Sequence, residues 1–418
     1  GDRVFMPAGF PEAYAEYAEQ GWPGIGLPEA FGGQGLPAPV MGAITEIFAG
    51  ANHSFQMICG LVPGAARTLL RFGTTAQQEK WLPRLASGEW LTTMALTEAG
   101  AGSDLSGVRA RAYEAQDGWR IDGEKIFISG GDQNLTQRIL HLVLARTGTP
   151  EEGTRGLSLF LVPSHDEAGN RLSARAIRIE EKMGLHASPT CQMVYDHVTA
   201  ELLGKVGGGL AAMFTMMNHA RLDVALQGVA HAARAYDIAS VYASERRQGG
   251  CAIAEHADVK RMLDRMQLMA TRARRLVYVA LTEMELDEHN ALVDFLTPVC
   301  KVMGTEAGIE AANLGIQVLG GYGYLREYGV EQIWRDARIT AIYEGANGIH
   351  ALTLATRLIK GRGAQAGVAF DQWLAGRVPE DVLNDWRAHR DLVIASDAPQ
   401  TLAHDFMQAT IRAVSAAV

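Results

Sequence analysis

Three long segments in the second half of the chain constrain the fold most. "GLAAMFTMMNHARLDVALQGVAHAARAYDIASVYASERRQ", "HADVKRMLDRMQLMATRARRLVYVALTEMELDEHN" and "ALVDFLTPVCKVMGTEAGIEAANLGIQVLG" each repeat apolar residues at helical spacing, from about residue 208 to 315. Their lengths predict an antiparallel bundle, with a fourth helix supplied after Glu344 by "ALTLATRLIKG". Such a bundle consumes much apolar side chain. A chain of 418 residues, 48% of them hydrophobic, has enough for two or three domains.

The remainder changes texture twice. "PEAYAEYAEQGW", "APVMGAITEIFAGA", "LVPGAARTLLRFG" and "TAQQEKWLPRLASGEW" read as helices, the last opening on Thr at a cap position. From about residue 94 apolar and polar residues alternate instead, as in "VRARAYEAQDGWRIDGEKIFISGG", with "DG" turns between the runs. "ILHLVLART", "GLSLFLVPS", "RAIRIEE" and "CQMVYDHVTA" continue the strand signal. The fold class is α+β: an N-terminal helical domain over 1–93, a middle β domain over 94–205, a C-terminal helical bundle over 206–365 and a helical extension over 366–418.

Charge and cysteine content exclude several functions. Lys and Arg number 38 against 47 acidic residues, and the net charge of −9 disfavours nucleic acid or an acidic membrane as partner. Cys59, Cys191, Cys251 and Cys300 are scattered without a CxxC pair, which suits a reducing compartment and no thiolate metal site. "VGGGLAAMFTMM" is too short to span a bilayer, and the first residues lack a basic-then-apolar leader pattern, so the expectation is cytoplasmic. The chain opens on Gly, so its numbering need not begin at the natural start. No GxGxxG follows a strand, and neither GxxxxGK[ST] nor HExxH is present; no metal is expected.

Four stretches carry candidate chemistry. In "RITAIYEGANGIHALTL" the carboxyl of Glu344 stands among apolar and aromatic neighbours, followed by a Gly-Ala-Asn-Gly bend. Ile342 and Tyr343 are expected to raise its proton affinity and fit it as a base, while capping of the following helix is the plainer role. "MALTEAGAGSDLSG" places Thr97, Ser103 and Asp104 in a glycine-rich bend suited to a polar ring or pyrophosphate, or to an ordinary hairpin loop. Phe127 and Ser129 of "GEKIFISGG" share one strand face, where ring and hydroxyl can floor a flat heteroaromatic group; a core Phe beside a surface Ser is the alternative. In "IQVLGGYGYLREYGVEQIWRDARITAIYEGANGIH", Gln317 and Gly320-Gly321 permit close backbone approach, and Arg335, Asp336 and Arg338 form an ion-pair cluster. Arg246 ends the first long helix, where a solvated charge is the simple reading.

Taken in order, "LTEAGAGSD", "GEKIFISGG", "ERRQG", "QVLGGYGYLREY" and "RDARITAIYEG" resemble the motifs of the acyl-CoA dehydrogenases, over most of the chain. "IYEGANGIHAL" is most similar to the branch of 3-methylmercaptopropionyl-CoA dehydrogenases, whose members usually carry extra residues at both termini. The resemblance implies Glu344 as catalytic base. It implies FAD contacts by Thr97 and the backbone near Met94 and Leu96, and by Phe127, Ile128 and Ser129. Arg246, Gln317 and Gly321, with Gly320 beside it, match positions that reach the FAD of a neighbouring subunit. Ala346, Asn347 and Gly348 match the turn that touches FAD, and Ser103 serves both cofactor and substrate. Ser103, Asn218, Arg221, Tyr343 and Gly345 match acyl-CoA contacts. Ala99 for Pro, Phe127 for Trp, Ser129 for Thr and Asn218 for Asp depart from the family's usual residues.

By this resemblance, FAD collects a hydride from the β-carbon as Glu344 removes the α-proton. The Glu344 N–H and a flavin ribityl hydroxyl hold the thioester oxygen. The product is a trans-2-enoyl-CoA of β-oxidation, electrons pass to an electron-transfer flavoprotein, and a homodimer or dimer of dimers completes the flavin site. Ala220 stands where a related subgroup carries its Glu, and an Asp at 344 would mark a nitroalkane oxidiser. An acyl-CoA oxidase, a non-catalytic DNA-binding flavoprotein of the same fold and a helical scaffold are the alternatives. The second wants a basic C-terminal domain, whereas 363–418 is mixed in sign.

Overall fold

The computed structural model describes residues 3–287 and 290–418, which group into two compact units: 1–37 with 54–220, and 38–53 with 221–418. The chain crosses from one unit to the other three times, at 37/38, 53/54 and 220/221.

The first unit holds α1 (Phe10–Glu19), α3 (Leu61–Phe72) and α4 (Thr75–Ala86), and strands β1 (Trp90–Ala95), β2 (Arg111–Ala115), β3 (Gly118–Ser129), β4 (Arg138–Arg146), β5 (Leu157–Pro163), β6 (Ala174–Ile179) and β7 (Thr190–Leu203); α3 and α4 pack on β1. Pairing runs β4-β2-β3-β7-β5 and returns to β4, closing a barrel, with β1 added parallel to β4 and β6 antiparallel to β7. Closure of the five-strand ring leaves edges only on β1 and β6, and Ile121, Val143, Phe160 and Tyr195 share one buried core. The helix-to-strand change comes at Trp90, earlier than the alternation suggests, because Trp90 buries against Trp81 at a centroid distance of 5.1 Å. The cap of α4 is Thr74, one residue before the Thr read from sequence; its hydroxyl and the Gln77 side chain bond each other's backbone N–H. Only the first "DG" is a turn. Gly123 of the second lies within β3 at φ 144, where the register against β7 shifts.

The second unit holds the first part of α2 (Ala38–Cys59), most of α5 (Gly209–Glu245), a two-strand ribbon of β8 (Arg247–Gln248) and β9 (Cys251–Ala252), α6 (Ala257–Leu286), α7 (Ala291–Leu319), α8 (Val330–Ala337), α9 (Asn347–Thr356), α10 (Ala364–Leu374), α11 (Glu380–Ala395) and α12 (Ala403–Ala417). The three long helices fall where the periodicity places them. The sequence, however, gives no hint that α2 continues to Cys59 through a break at Asn52 (φ −157, ψ 95). Helices α5 and α7 touch backbone to backbone: a Cβ on Gly228 would lie 2.2 Å from the Gly304 carbonyl, and one on Gly304 2.4 Å from that of Ala225. This contact brings Arg221 of α5 and Lys301 of α7 to the same short segment before α9. No helix among the described residues is long and apolar enough to cross a membrane.

Candidate active site

The segment leaving α8 makes a short 3-10 turn over Arg338–Ala341, and Tyr343 still donates its N–H to the Ile339 carbonyl at 3.1 Å. Two left-handed residues follow, Glu344 at φ 54 and Gly345 at φ 91, and α9 begins at Asn347. The expected bend is therefore shorter than its four residues, since Asn347 and Gly348 already belong to the helix. Only glycine fits at 345, where a Cβ would also lie 3.0 Å from His350 Nε2. A left-handed Glu is strained and persists only when its surroundings fix it.

Those surroundings are cationic. Arg221 Nε donates to the Glu344 carbonyl at 3.3 Å, and His350 Nε2 meets the same oxygen at 3.1 Å, which requires the proton on that nitrogen. Lys301, with 0% of its surface exposed, donates from Nζ to the Gly345 carbonyl at 2.8 Å and to Asn347 Oδ1 at 2.9 Å. Burial pushes the Glu344 carboxyl up to about 7, against the pull of Arg221 and Lys301. Burial likewise brings Lys301 down to about 7, against the attraction of Glu344. Glu344 as a whole residue is half-buried. Ile342, 49% exposed, gives it little cover, and the groups acting on its charge are Arg221 of α5 and Lys301 of α7. Ala346, not Glu344, is the N-cap of α9, so the capping role falls away. Among the described residues the Glu344 N–H has no acceptor, leaving it available for an oxygen of a bound molecule.

Within this unit, Arg246, Gly320 and Gly321 line one groove of about 510 Å³, in which the Arg246 guanidinium lies 5.7 Å from the Tyr322 ring. Gln317 is exposed on α7 but is not part of that lining. The Asn347 amide turns inward to Lys301 and to Thr305 Oγ1 at 3.2 Å.

In the first unit, a second group of expected residues meets around β1 and β3. The Ile126 N–H donates to the Thr97 carbonyl at 2.8 Å, binding the glycine-rich loop to β3. An extra residue then bulges β3 between Lys125 and Ile128 and sets Phe127 at φ 59 with 60% of its surface exposed. Ile128 is buried, and Ser129 and Met94 are partly open. Leu96 is buried and Ser103 exposed on the loop. Asn218, on α5, precedes Arg221 by three residues.

Models of the acyl-CoA dehydrogenase N-terminal, middle and C-terminal domains match residues 4–89, 93–198 and 207–359. The chain belongs to the acyl-CoA dehydrogenase family. It is 40% identical over 397 residues to 3-methylmercaptopropionyl-CoA dehydrogenase of Ruegeria pomeroyi, covering 89% of this chain and 68% of that protein. It is 32% identical over 352 residues to glutaryl-CoA dehydrogenase of Desulfococcus multivorans, covering 83% and 87%. A Bacillus anthracis acyl-CoA dehydrogenase complexed with FAD superposes with a TM-score of 0.83 at 25% identity, covering 97% of this chain and 74% of that one.

For an acyl-CoA dehydrogenase, two lysines stand out that sequence reading passed over. Lys125, 0% exposed, donates at 2.8 Å both to the Leu96 carbonyl and to Glu98 Oε1; Glu98 in turn accepts from the Arg109 and Ala110 N–H groups. Lys301 is the other. Its signal was available, as a single cation inside the apolar run "LTPVCKVMG". The expected Arg335 pairing is local, to Glu331 one turn earlier on α8 at 2.7 Å.

Proposed function

We propose that this chain oxidises an acyl-CoA thioester to its trans-2-enoyl-CoA, with Glu344 as the base. The observation that carries the reading is a carboxyl held near neutrality, in left-handed backbone, between the buried Lys301 and the half-buried Arg221. A thioester α-proton is weakly acidic, so its removal needs a base held in place and a donor for the developing oxygen charge. Glu344 Oε takes the proton, and its own N–H is free to meet the thioester oxygen. Arg221 and Lys301 keep enough of the carboxyl ionised at neutral pH to act.

FAD, when bound, accepts the two electrons with the β-hydride, and an electron-transfer flavoprotein takes them onward. Features of both units suit that cofactor. The exposed Phe127 ring offers a flat apolar floor, and the Gly320–Gly321 groove offers open backbone beside the Arg246 cation. We further propose that the groove receives the cofactor of a neighbouring copy, in a homodimer or dimer of dimers. The likeness to 3-methylmercaptopropionyl-CoA dehydrogenase makes a sulfur-bearing acyl chain the first thioester to try. DNA binding gains no support from α11, where Arg387 and Arg390 are both paired with Asp371.

Glu344→Gln tests the reading. We expect protein that keeps its yellow flavin while turnover on a panel of acyl-CoA thioesters, followed by flavin bleaching, falls at least about a thousandfold, the scale of losing a general base with its alignment. Undiminished turnover would remove Glu344 from the chemistry.

A further inference from the structure

The break in α2 at Asn52 has no proline beside it, and the next residue, His53, is 4% exposed. His53 Nδ1 lies 2.8 Å from His231 Nε2 of α5, the rings edge-on with centroids 4.8 Å apart. On its other side, His53 Nε2 is 3.3 Å from the Tyr343 hydroxyl, and that hydroxyl donates to Gln227 Oε1, one turn before His231 on α5. Asp223, a further turn back, continues the same buried polar face.

Proton counting orients the chain of bonds. Tyr343 has one hydroxyl proton, and it goes to the Gln227 amide oxygen. The hydroxyl oxygen must then accept from His53 Nε2–H. A neutral His53 thereby leaves Nδ1 bare, to accept from His231 Nε2–H. Along this chain of bonds each imidazole is assigned one tautomer, and Gln227 faces His53 as well as Tyr343. Burial keeps both rings neutral, lowering His53 to about 4 and His231 well below its ordinary value. Protonating His53 would set two N–H groups face to face.

The two imidazoles and the Gln227 amide have no part in the chemistry above, yet the chain of bonds reaches Tyr343, the residue before Glu344 and itself an expected acyl-CoA contact. We propose that His231 and His53, acting through the Tyr343 hydroxyl, are positioning residues that fix the backbone at Glu344 and so aim its carboxyl. This rests on the reading of Glu344 as the base. The segment is gripped from two sides: the Tyr343 hydroxyl by the imidazole relay, and the Glu344 and Gly345 carbonyls by Arg221, His350 and Lys301. A strained residue between two such grips cannot relax into an ordinary conformation.

The test uses flavin-loaded full-length protein and four variants: Tyr343→Phe, His53→Phe, their double, and His53→Gln. We expect Tyr343→Phe, which removes one oxygen and little volume, to lower kcat at least tenfold with flavin content unchanged, and to shift the pH midpoint of kcat. His53→Phe should cost the same, and the double no more than the worse single, because both cut one link. His53→Gln should recover most of the loss, since its amide can donate to Tyr343 and accept from His231. Denaturant midpoints of the same set should show the same failure to add, independently of turnover. Full kcat in Tyr343→Phe, or losses that multiply in the double, would overturn the proposal. Should Glu344→Gln stay active, the base reading falls alone, because the denaturation cycle still reports whether the relay couples to Tyr343. If His53→Phe does not fold, Tyr343→Phe and His53→Gln decide.

Discussion

The β3 bulge of the first unit, with the glycine-rich loop tied to it, and the Glu344 segment of the second are built on the same plan and wired differently. Each sets a candidate site residue in left-handed backbone, Phe127 or Glu344. Each is tied down by a lysine with no exposed surface that grips a backbone carbonyl, Lys125 on Leu96 and Lys301 on Gly345. The second acceptor separates them. Lys125 has a carboxylate, Glu98, at 2.8 Å, whereas Lys301 has only the neutral Asn347 amide. A lysine whose charge is matched locally serves as a rivet. One without a bonded carboxylate directs its field at the acids around it, Glu344 more strongly than Glu306.

That contrast can be broken from either end. The largest stability effect should come from Lys125→Met, which strands the Glu98 carboxylate with 11% of its side chain exposed. Leaving a buried charge without its partner costs about 3 kcal/mol or more, to be read as a drop in the urea midpoint; a loss near zero would deny the rivet. Lys301→Met should cost less in folding, about 1–3 kcal/mol for the two acceptors left behind, but it should alter the chemistry. With the cation gone, Glu344 binds its proton more tightly, and the rising limb of log kcat/KM against pH moves to higher pH. In the unmodified protein that limb should rise through about 7, because the carboxylate is the competent form and burial has raised its proton affinity to that value. An unmoved limb in Lys301→Met would make Lys301 a rivet too. The smallest effect is expected from Phe127→Gly. Relief of left-handed strain and the added freedom of glycine nearly cancel, so stability should change by less than about 1 kcal/mol, while flavin is lost more readily on gel filtration.

What sequence conveyed was whatever periodicity and local chemistry can encode. The three long helices and the barrel strands follow from spacings of 3.6 and 2, and Glu344 stands out as an acid among apolar neighbours. The second "DG" resists because the same dipeptide serves a hairpin turn and a bulge, and only the partner strand decides. The lower half of α2 was lost because "NHSFQMIC" is too short and mixed to declare a helix after a break. His53 and His231 lie 178 residues apart and meet only once α2 and α5 are in place. Left-handed backbone at a Glu or a Phe has no signature at all, because residue type argues against it.

The φ of Glu344 also bears on how the position tolerates drift. The residues most comfortable there, Gly and Asn, have no carboxyl, while Asp keeps one on a shorter arm. Random substitution followed by screening for folding alone should therefore carry this position away from Glu, and screening for turnover should carry it back. A library sorted first for solubility and then for activity would register that conflict as opposite enrichments at a single site.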